Sequence, residues 1–486
     1  MKRVLLILAV IFLILCCLVF VFYRALNFSP ASLIKNEKNK EVEIINSSVN
    51  NLSNILKHKV VTTKDLMKND YSTHDALWAY LRNVYPEVFS TLKVEKIAGY
   101  NYLLKWEGTD KKLLPVMFTG HYDTVDVEEK TLKDWKYKPF EGKIAEEKIW
   151  GRGALDDRSS FVALFESINL LIKQNYKPKR DIYFAFGHDE ETGGINGAVQ
   201  IAKYLENKNI KFEMILDEGG RVEKKDGRQR AYVGISEKGR LLANIRVENK
   251  AMHASRPYSE TSITQLAKVI QVLNKHQMKA KLTPQAHEYF KQVYFDRDFI
   301  TRILIANQDF LKPFLFKRLS KDNLDNTLIR TTTAFTMLQG SNSANAVPQL
   351  AQVTVDFRIL PTDTPKDVED HIKKVLSKKM PNLKYSIEVV SAQAPSKVSK
   401  IDSKVYGILE SEIRNFFPSA SVIPYLVPAG TDARNYEKLS DCIYRFLPIS
   451  LTPEEYALMH GVNENISIEN YMRMIKFYES LMKNYF

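Results

Sequence analysis

The chain is expected to be an α/β protein. Its largely parallel sheet is interrupted by a smaller α+β insert and preceded by one membrane-spanning helix. Three patterns predict this. Short apolar strands alternate with helices between residues 114 and 216, and the alternation returns after about 398. Between those stretches the order is strand, helix, strand, strand, helix, strand. The first pattern argues a parallel sheet covered by helices, and the second is the ferredoxin-like order. The third is an uncharged run from Val4 to Tyr23. Twenty helical residues span about 30 Å, the thickness of a bilayer's hydrocarbon core.

The elements follow in order. Lys2 and Arg3 precede the apolar run and Arg24 follows it. The run is long for a signal peptide's apolar centre and no small-x-small cleavage site follows it. It therefore reads as an anchor over 1–24, with the body on the extracytoplasmic or lumenal side. Lys35, Lys38 and Lys40 weaken that orientation, and secretion after signal cleavage is the alternative. Leu13, Ile14 and Leu15 are too bulky to precede a lipid-bearing Cys16. Residues 25–42, polar and containing Pro30, read as a tether. The main domain starts at 43 and runs to 236, with helical patterns at 43–58 and 73–90. Then come the strand Leu114–Thr119, the helix Arg158–Gln174, the strand Asp181–Gly187, the helix Ile195–Leu205 and the strand Phe212–Leu216. The insert covers 237–397. Its strands are Leu241–Val247, Thr327–Leu338, Gln352–Leu360 and Tyr385–Val390, and its helices Thr261–His276 and Pro365–Lys378. An extra amphipathic helical segment occupies 279–325. The main domain resumes over 398–486 with a helix at Lys404–Phe416, a strand near Ile423 and a final helix at 467–485.

Composition bounds the partners. The chain has 486 residues, of which 45% are hydrophobic and 26% charged, the balance of a globular protein of two to three domains. The net charge of +13 comes from lysines spread along the whole chain, with no dense basic stripe. No nucleic-acid partner is expected; a lysine-rich surface of this kind tolerates anionic lipid. Cys16 and Cys17 lie in the apolar run, and Cys442 alone lies in the body. One body cysteine makes neither an intradomain disulfide nor a thiolate metal site, so any metal here is held by His, Asp and Glu. Glycosylation sequons begin at Asn27, Asn46, Asn51 and Asn465.

Parallel sheets place their ligands at the carboxyl ends of the strands. His121 and Asp123 follow the strand ending at Thr119, and Asp156 follows Trp150–Leu155. His188, Asp189, Glu190 and Glu191 follow Gly187, Asp217 and Glu218 follow Leu216, and His460 lies in Met459–Glu464. Each group is bland alone. His-x-Asp arises by chance, Asp-Glu-Glu makes a solvated loop, and an Asp pair suits a helix N-cap. As an ordered set at one sheet edge they point to metal chemistry. Two zinc ions about 3.5–4 Å apart hold one water and lower its pKa. Zinc without thiolates takes imidazole nitrogen and carboxylate oxygen. One carboxylate can bridge both ions, and another, off the metal, takes the water's proton. The Glu190–Glu191 pair can supply a ligand and a base.

At these residues the sequence resembles the di-zinc aminoacylase and carboxypeptidase S peptidase family. The motifs are Gly120-His-Tyr-Asp-Thr-Val, Gly151-Arg-Gly-Ala-Leu-Asp-Asp, Asp189-Glu-Glu-Thr-Gly-Gly, Leu216-Asp-Glu-Gly-Gly and His460-Gly-Val-Asn-Glu, and the likeness covers about residues 45–486. The anchor and the 279–325 segment are most similar to the carboxypeptidase S branch, which includes secreted N-acyl amino acid hydrolases. The resemblance implies an enzyme with two zinc ions per chain, a metallopeptidase or N-acyl amino acid amidohydrolase. It would cleave the amide bond next to a free carboxylate, in peptides or in N-acyl amino acids, by a hydroxide bridging the zinc ions. His121 and Asp217 would bind one zinc, Glu191 and His460 the other, and Asp156 both, with a cis peptide to Asp157. Asp123 would orient His121 from behind, and Glu190 would be the general base. His253 would stabilise the oxyanion. Asn345 and Arg358 would polarise the carbonyl and hold the substrate carboxylate, which a guanidinium fork suits. Gly430, Thr431 and Arg434 would belong to a substrate-binding loop. The insert would serve as lid and dimerisation domain; family dimers pair through it, although the 279–325 segment could instead cover that edge or replace the partner. His58, His74, His276, His287 and His371 read as exposed helix residues and His188 as a loop residue, without roles. Two alternatives are a catalytically silent, peptide-binding membrane protein on the same scaffold, and an enzyme using cobalt or manganese. The silent protein would be expected to have lost Glu190 or a ligand, and all are present.

Overall fold

The central strands of the main sheet are apolar on both faces, as a sheet covered by helices on both sides requires. Val116–His121, Ile182–Gly187 and Met214–Asp217 are buried at every position. The computed structural model describes residues 2–28, 42–295 and 298–486, the side chain of Leu66 excepted. These fall into two compact units.

The larger unit holds the described residues from 42 to Ile235 with Lys397–Val427 and Thr431–Phe486. Its strands lie in the order Lys93–Ile97, Asn101–Trp106, Ile182–Gly187, Val116–His121, Met214–Asp217, Ile443–Arg445, Arg228–Glu237, Arg221–Lys225, Ser450–Leu451, with Ala420–Val427 also pairing Arg228–Glu237. The four strands from Ile182–Gly187 to Ile443–Arg445 run parallel. The flanking pairs are mostly antiparallel, so the sheet is mixed with a parallel centre. On one face Phe118, Phe184 and Phe186 pack with Phe161 and Phe165 of the helix Arg158–Lys173 and with Tyr478 of the helix Ile468–Tyr485. The Trp78 ring stacks on Tyr102 at 3.5 Å. On the other face Ala198, Ile201 and Leu205 of the helix Ala198–Asn207 meet Met117, Ala185 and Ile215. Truncating one of these buried aromatics to Ala costs about 3–5 kcal/mol.

The second unit gathers Ser236–Ser396, Pro428–Gly430 and the N-terminal helix. Its sheet is antiparallel, in the order Thr332–Gln339, Leu350–Ile359, Gly239–Glu248, Tyr385–Gln393. With the helices Ser262–Lys275 and Pro365–Lys379 this is the ferredoxin-like order. Leu241, Ala243, Ile245 and Val247 alternate into the core under the two helices. Thr261 with Thr264, and Thr364 with Asp367, close capping boxes that start these helices.

Several elements differ from expectation. The strand expected over Thr327–Leu338 begins only at Thr332. Asn323–Ile329 is helical because the Asp322 carboxylate accepts from the backbone N–H of Leu324 and Asp325. The helix expected over 73–90 is two, Tyr71–Val84 and Pro86–Thr91, since Pro86 has no N–H and restricts Tyr85. The 279–325 segment forms Pro284–Tyr294, Phe299–Ala306, Gln308–Leu319 and the start of Asn323–Ile329. The apolar run forms one helix, Lys2–Leu26, whose most apolar 18-residue window has a mean hydropathy of 3.6. The expected tether falls largely on residues 29–41, outside the described residues. Three sequon asparagines are engaged: Asn27 Nδ2 donates to the Tyr23 carbonyl, Asn51 Nδ2 to Glu166 Oε1 and Asn465 Nδ2 to the Asn463 carbonyl.

Candidate metal centre

Register brings the acidic and imidazole groups together. His121 pairs with Gly187 across parallel strands, so the residues after both leave the sheet at one level, beside the end of Met214–Asp217. His121 is buried. Its Nδ1 faces Asp123 Oδ1 at 3.2 Å. Its Nε2 faces Asp156 Oδ1 at 2.9 Å and Glu218 Oε1 at 3.3 Å. His460 Nε2 lies 2.9 Å from Asp156 Oδ2 and 3.1 Å from Glu191 Oε1. Asp156 thus presents one oxygen to each histidine. His121, Asp156 and Glu218 form one triad of metal-ligating atoms, and Asp156, Glu191 and His460 a second.

The loops that carry these groups are braced. The Asp156–Asp157 peptide is cis. Glu464 Oε1 accepts from the backbone N–H of Leu155 (2.8 Å), while Oε2 accepts from Arg152 Nη1 (2.6 Å). Arg152 Nη2 in turn donates to the His460 carbonyl at 3.0 Å. This fully buried ion pair ties the Asp156 loop to the His460 loop, where His460 holds a left-handed φ of 58°. The buried Arg158 donates to the carbonyls of Tyr122, His58 and Val60 behind His121, and burial lowers its pKa to about 10. In the Glu190–Thr192 turn, Asp189 Oδ2 accepts from Asn196 N at 2.8 Å and Gly193 N donates to the Glu190 carbonyl at 2.7 Å. Gly194 closes the turn with φ 66°, where a Cβ would collide with the Asp432 carboxylate.

Two expectations are corrected. Asp217 was expected beside His121, but Glu218 occupies that place. Asp217 Oδ2 instead accepts from Thr431 Oγ1 (2.9 Å) and Ala433 N (2.8 Å). Successive side chains along a strand point to opposite sides, and at this strand end Asp217 and Glu218 face different partners. His74, expected on an exposed face, is fully buried among Tyr71, Tyr100, Tyr122 and His188. Burial lowers its pKa to about 4. His188 is buried too, with Nδ1 2.7 Å from Asn101 Oδ1. Sequence reasoning assigned no role to Glu218, Arg152 or Glu464, although all three stand inside the motifs it singled out.

The electrostatics favour a cation. Burial pushes the carboxyls of Glu190, Glu191, Asp157 and Asp432 up, and Glu218 up to about 8, with neighbouring carboxylates adding to the shift in each. Burial would raise Asp156 as well, but hydrogen bonds from His121 and His460 hold it well below the usual carboxylate range. Burial would lower His121, yet Glu218, Asp123 and Asp156 push it well above the usual imidazole range. Hydrogen bonds to Asp156 and Glu191 carry His460 up to about 10. Both Asp157 carboxyl oxygens are buried without a hydrogen-bond partner among the described residues. Two imidazole nitrogens, a shared carboxylate, two further carboxylates and no thiolate are a donor set that fits zinc.

The remaining predicted residues divide between the units. Thr431 and Arg434 belong to the larger one, on the turn that follows Gly430. In the second unit His253 pairs with Ala346, and Ala254 N donates to the Asn345 carbonyl at 2.9 Å, so His253 and Asn345 are neighbours. Arg358 lies on Leu350–Ile359, its Nε 3.1 Å from Asp356 Oδ1.

Known proteins resemble this chain over most of its length. The model of peptidase family M20/M25/M40 matches residues 117–484. Probable carboxypeptidase S-like 2 of Dictyostelium discoideum is 36% identical over 411 residues, 83% of this chain and 78% of that protein. The N-fatty-acyl-amino acid synthase/hydrolase PM20D1 of Xenopus tropicalis is 33% identical over 415 residues, 83% of this chain and 79% of that protein. Among solved structures, the M20 family metallo-carboxypeptidase Sso-CP2 from Sulfolobus solfataricus matches with a TM-score of 0.66 at 20% identity, covering 90% of this chain and 99% of that one. Human carnosine dipeptidase 1 matches at 0.62 and 14%, covering 90% and 95%; both share the fold.

Proposed function

The chain belongs to peptidase family M20/M25/M40 and is an amide-bond hydrolase, and from that premise we propose that it cuts the amide bond next to a free carboxylate, in peptides or N-acyl amino acids. One observation carries the reading: Asp156 turns one oxygen to the His121–Glu218 side and the other to the His460–Glu191 side. His121, Asp156 and Glu218 would hold one zinc ion and Asp156, Glu191 and His460 a second, with Glu218 taking the place first given to Asp217. When bound, zinc polarises a carbonyl and lowers the pKa of water to about 7. Asp123, against His121 Nδ1, fixes the ring so that Nε2 points inward. Glu190 takes the proton of the attacking water and delivers it to the leaving nitrogen. Desolvation already raises its proton affinity, which suits that transfer. His253 would stabilise the developing oxyanion. Asn345, Arg358, Gly430, Thr431 and Arg434 would bind the carbonyl and carboxylate of the substrate.

The helix Lys2–Leu26 supports a single-pass anchor, with the body extracytoplasmic or lumenal; a cleaved signal would give a secreted enzyme instead. A homodimer through the ferredoxin-like unit is carried over from the resemblance. The test assays the purified chain for metal content and for two substrate panels, dipeptides with a free C-terminus and long-chain N-acyl amino acids. Two zinc per chain with dipeptide turnover makes it a carboxypeptidase or dipeptidase. Turnover of the acyl panel alone makes it an N-acyl amino acid hydrolase. No metal and no turnover in folded, zinc-reconstituted protein sinks the proposal.

A further inference from the structure

The second unit carries a surface that the hydrolytic chemistry does not use. The last turn of the N-terminal helix is bonded to the helices Phe299–Ala306 and Gln308–Leu319. Arg302 donates from Nε to the Ala25 carbonyl (2.7 Å) and from Nη2 to the Leu26 carbonyl (3.0 Å). A cation thus caps the negative end of the helix dipole. Asn307 Nδ2 donates to the Val21 carbonyl at 3.1 Å, and Arg24 pairs with Asp309 at 2.9 Å. The Phe22 and Phe299 rings stack at 6.2 Å. From this joint the N-terminal helix runs outward, apolar and exposed along its length.

Beside the joint lie four large apolar side chains that the fold leaves open. Phe299 and Ile300 are 45% and 67% exposed, and Phe310 and Phe314, one turn apart, 48% and 63%. Lys312, Lys317 and Lys321 are exposed on the same stretch. The nearby acids are occupied: Asp309 by Arg24, and Asp322 by the N–H groups it caps. Scattered exposed apolar residues need no explanation, but aromatic residues edged by lysines and continuous with an apolar helix form a patch that does.

We propose that Phe299, Ile300, Phe310 and Phe314 form a membrane-contact surface, seated at the headgroup–acyl boundary of the same bilayer that the N-terminal helix enters. This rests on reading that helix as an anchor. The bilayer is the occupant because the joint is fixed by side-chain bonds at both of its ends. Wherever the helix enters lipid, these four side chains stand at its point of entry. Aromatic and aliphatic groups enter the boundary region there, while lysines extend their ammonium groups to lipid phosphates.

The test uses the full chain in phosphatidylcholine vesicles whose lipids carry a quencher in the upper acyl chain. Three samples each carry one environment-sensitive fluorophore: on Phe314→Cys or Lys378→Cys, both with Cys16 and Cys17 replaced by Ser, or on Cys16 itself with Cys17→Ser. Cys442 is buried and stays in place. The expected result is a blue shift and loss of most of the emission at 314, with no change at the exposed position 378. An unquenched label at 314 overturns the proposal. If the Cys16 label is quenched in that case, the anchor reading stands and only the contact surface falls; if it is not, both fall.

Discussion

Glu190 and Glu191 are adjacent, yet the proposed mechanism gives them opposite tasks, and single substitutions separate them. Glu190→Gln should lower kcat by about a hundred- to ten-thousand-fold, the usual worth of a general base, with metal content unchanged; loss of metal with the activity would make Glu190 a ligand. The same logic sorts Asp217 from Glu218. Glu218→Ala should lose one metal equivalent per chain by elemental analysis, whereas Asp217→Asn should keep both, because Asp217 Oδ2 accepts from Thr431 and Ala433 while Glu218 faces His121. His74 makes a prediction about pH. It titrates near 4 in the fold and near 6.5 when unfolded. Between those values the unfolded chain binds the proton and the fold does not. Its contribution is therefore fully present above about pH 6.5 and lost as pH falls toward 4, up to about 3 kcal/mol. Denaturant unfolding of His74→Leu should be correspondingly less sensitive between pH 7 and 5 than the parent, and parallel curves would refute the linkage. At this scale the sequence was legible in part. It marked which residues follow strands, because strand ends are written in hydropathy. Whether Asp217 or Glu218 faces His121 depends on the last half-pleat of a strand, which hydropathy does not register. The burial of His74 depends on aromatic residues at 100 and 122 that only the fold brings near it.

Between elements, the larger unit is braced by the buried pair Arg152–Glu464. It joins the loop before the helix Arg158–Lys173 to the loop before the helix Ile468–Tyr485. Removing one partner of such a pair leaves a buried charge without its counterpart, worth about 3–5 kcal/mol. Arg152→Met should lower stability by that order in thermal melts and release metal more readily on dialysis, since Asp156 and His460 both lean on the pair. A melt within error of the parent would show that the brace is dispensable. Both residues lie in motifs visible in the sequence, but a pairing between positions so far apart is not a pattern that periodicity can reveal. Element order was far more legible. The strand–helix alternation and the ferredoxin-like order emerged because each rests on local periodicity. The antiparallel margins, such as Lys93–Ile97 with Asn101–Trp106, did not, because short exposed strands lack the apolar run that identifies the buried ones.

For the molecule as a whole, the acidic groups crowded at one sheet edge tie metal to stability. Chelation followed by dialysis should abolish turnover and lower Tm, and zinc should restore both; a binder of the native state adds about 2.7 kcal/mol at a hundredfold excess over its Kd. A Tm indifferent to chelation would mean that the carboxylates are balanced by other means. The order of the main sheet also has a consequence for the life of the chain before it is an enzyme. Ile443–Arg445 lies between Met214–Asp217 and Arg228–Glu237, in the middle of the sheet. While the chain is being synthesised, Met214–Asp217 and Arg228–Glu237 lack the strand that lies between them, and the helix Ile468–Tyr485 that packs on the same side as Arg158–Lys173 emerges last. An apolar sheet edge must therefore wait, open, until almost the entire polypeptide has left the ribosome. Pairings this distant fold slowly and leave aggregation-prone edges exposed meanwhile. His460 arrives in the same closing stretch, so a nascent chain acquires the imidazole that faces Asp156 and Glu191 and its finished core at nearly the same moment.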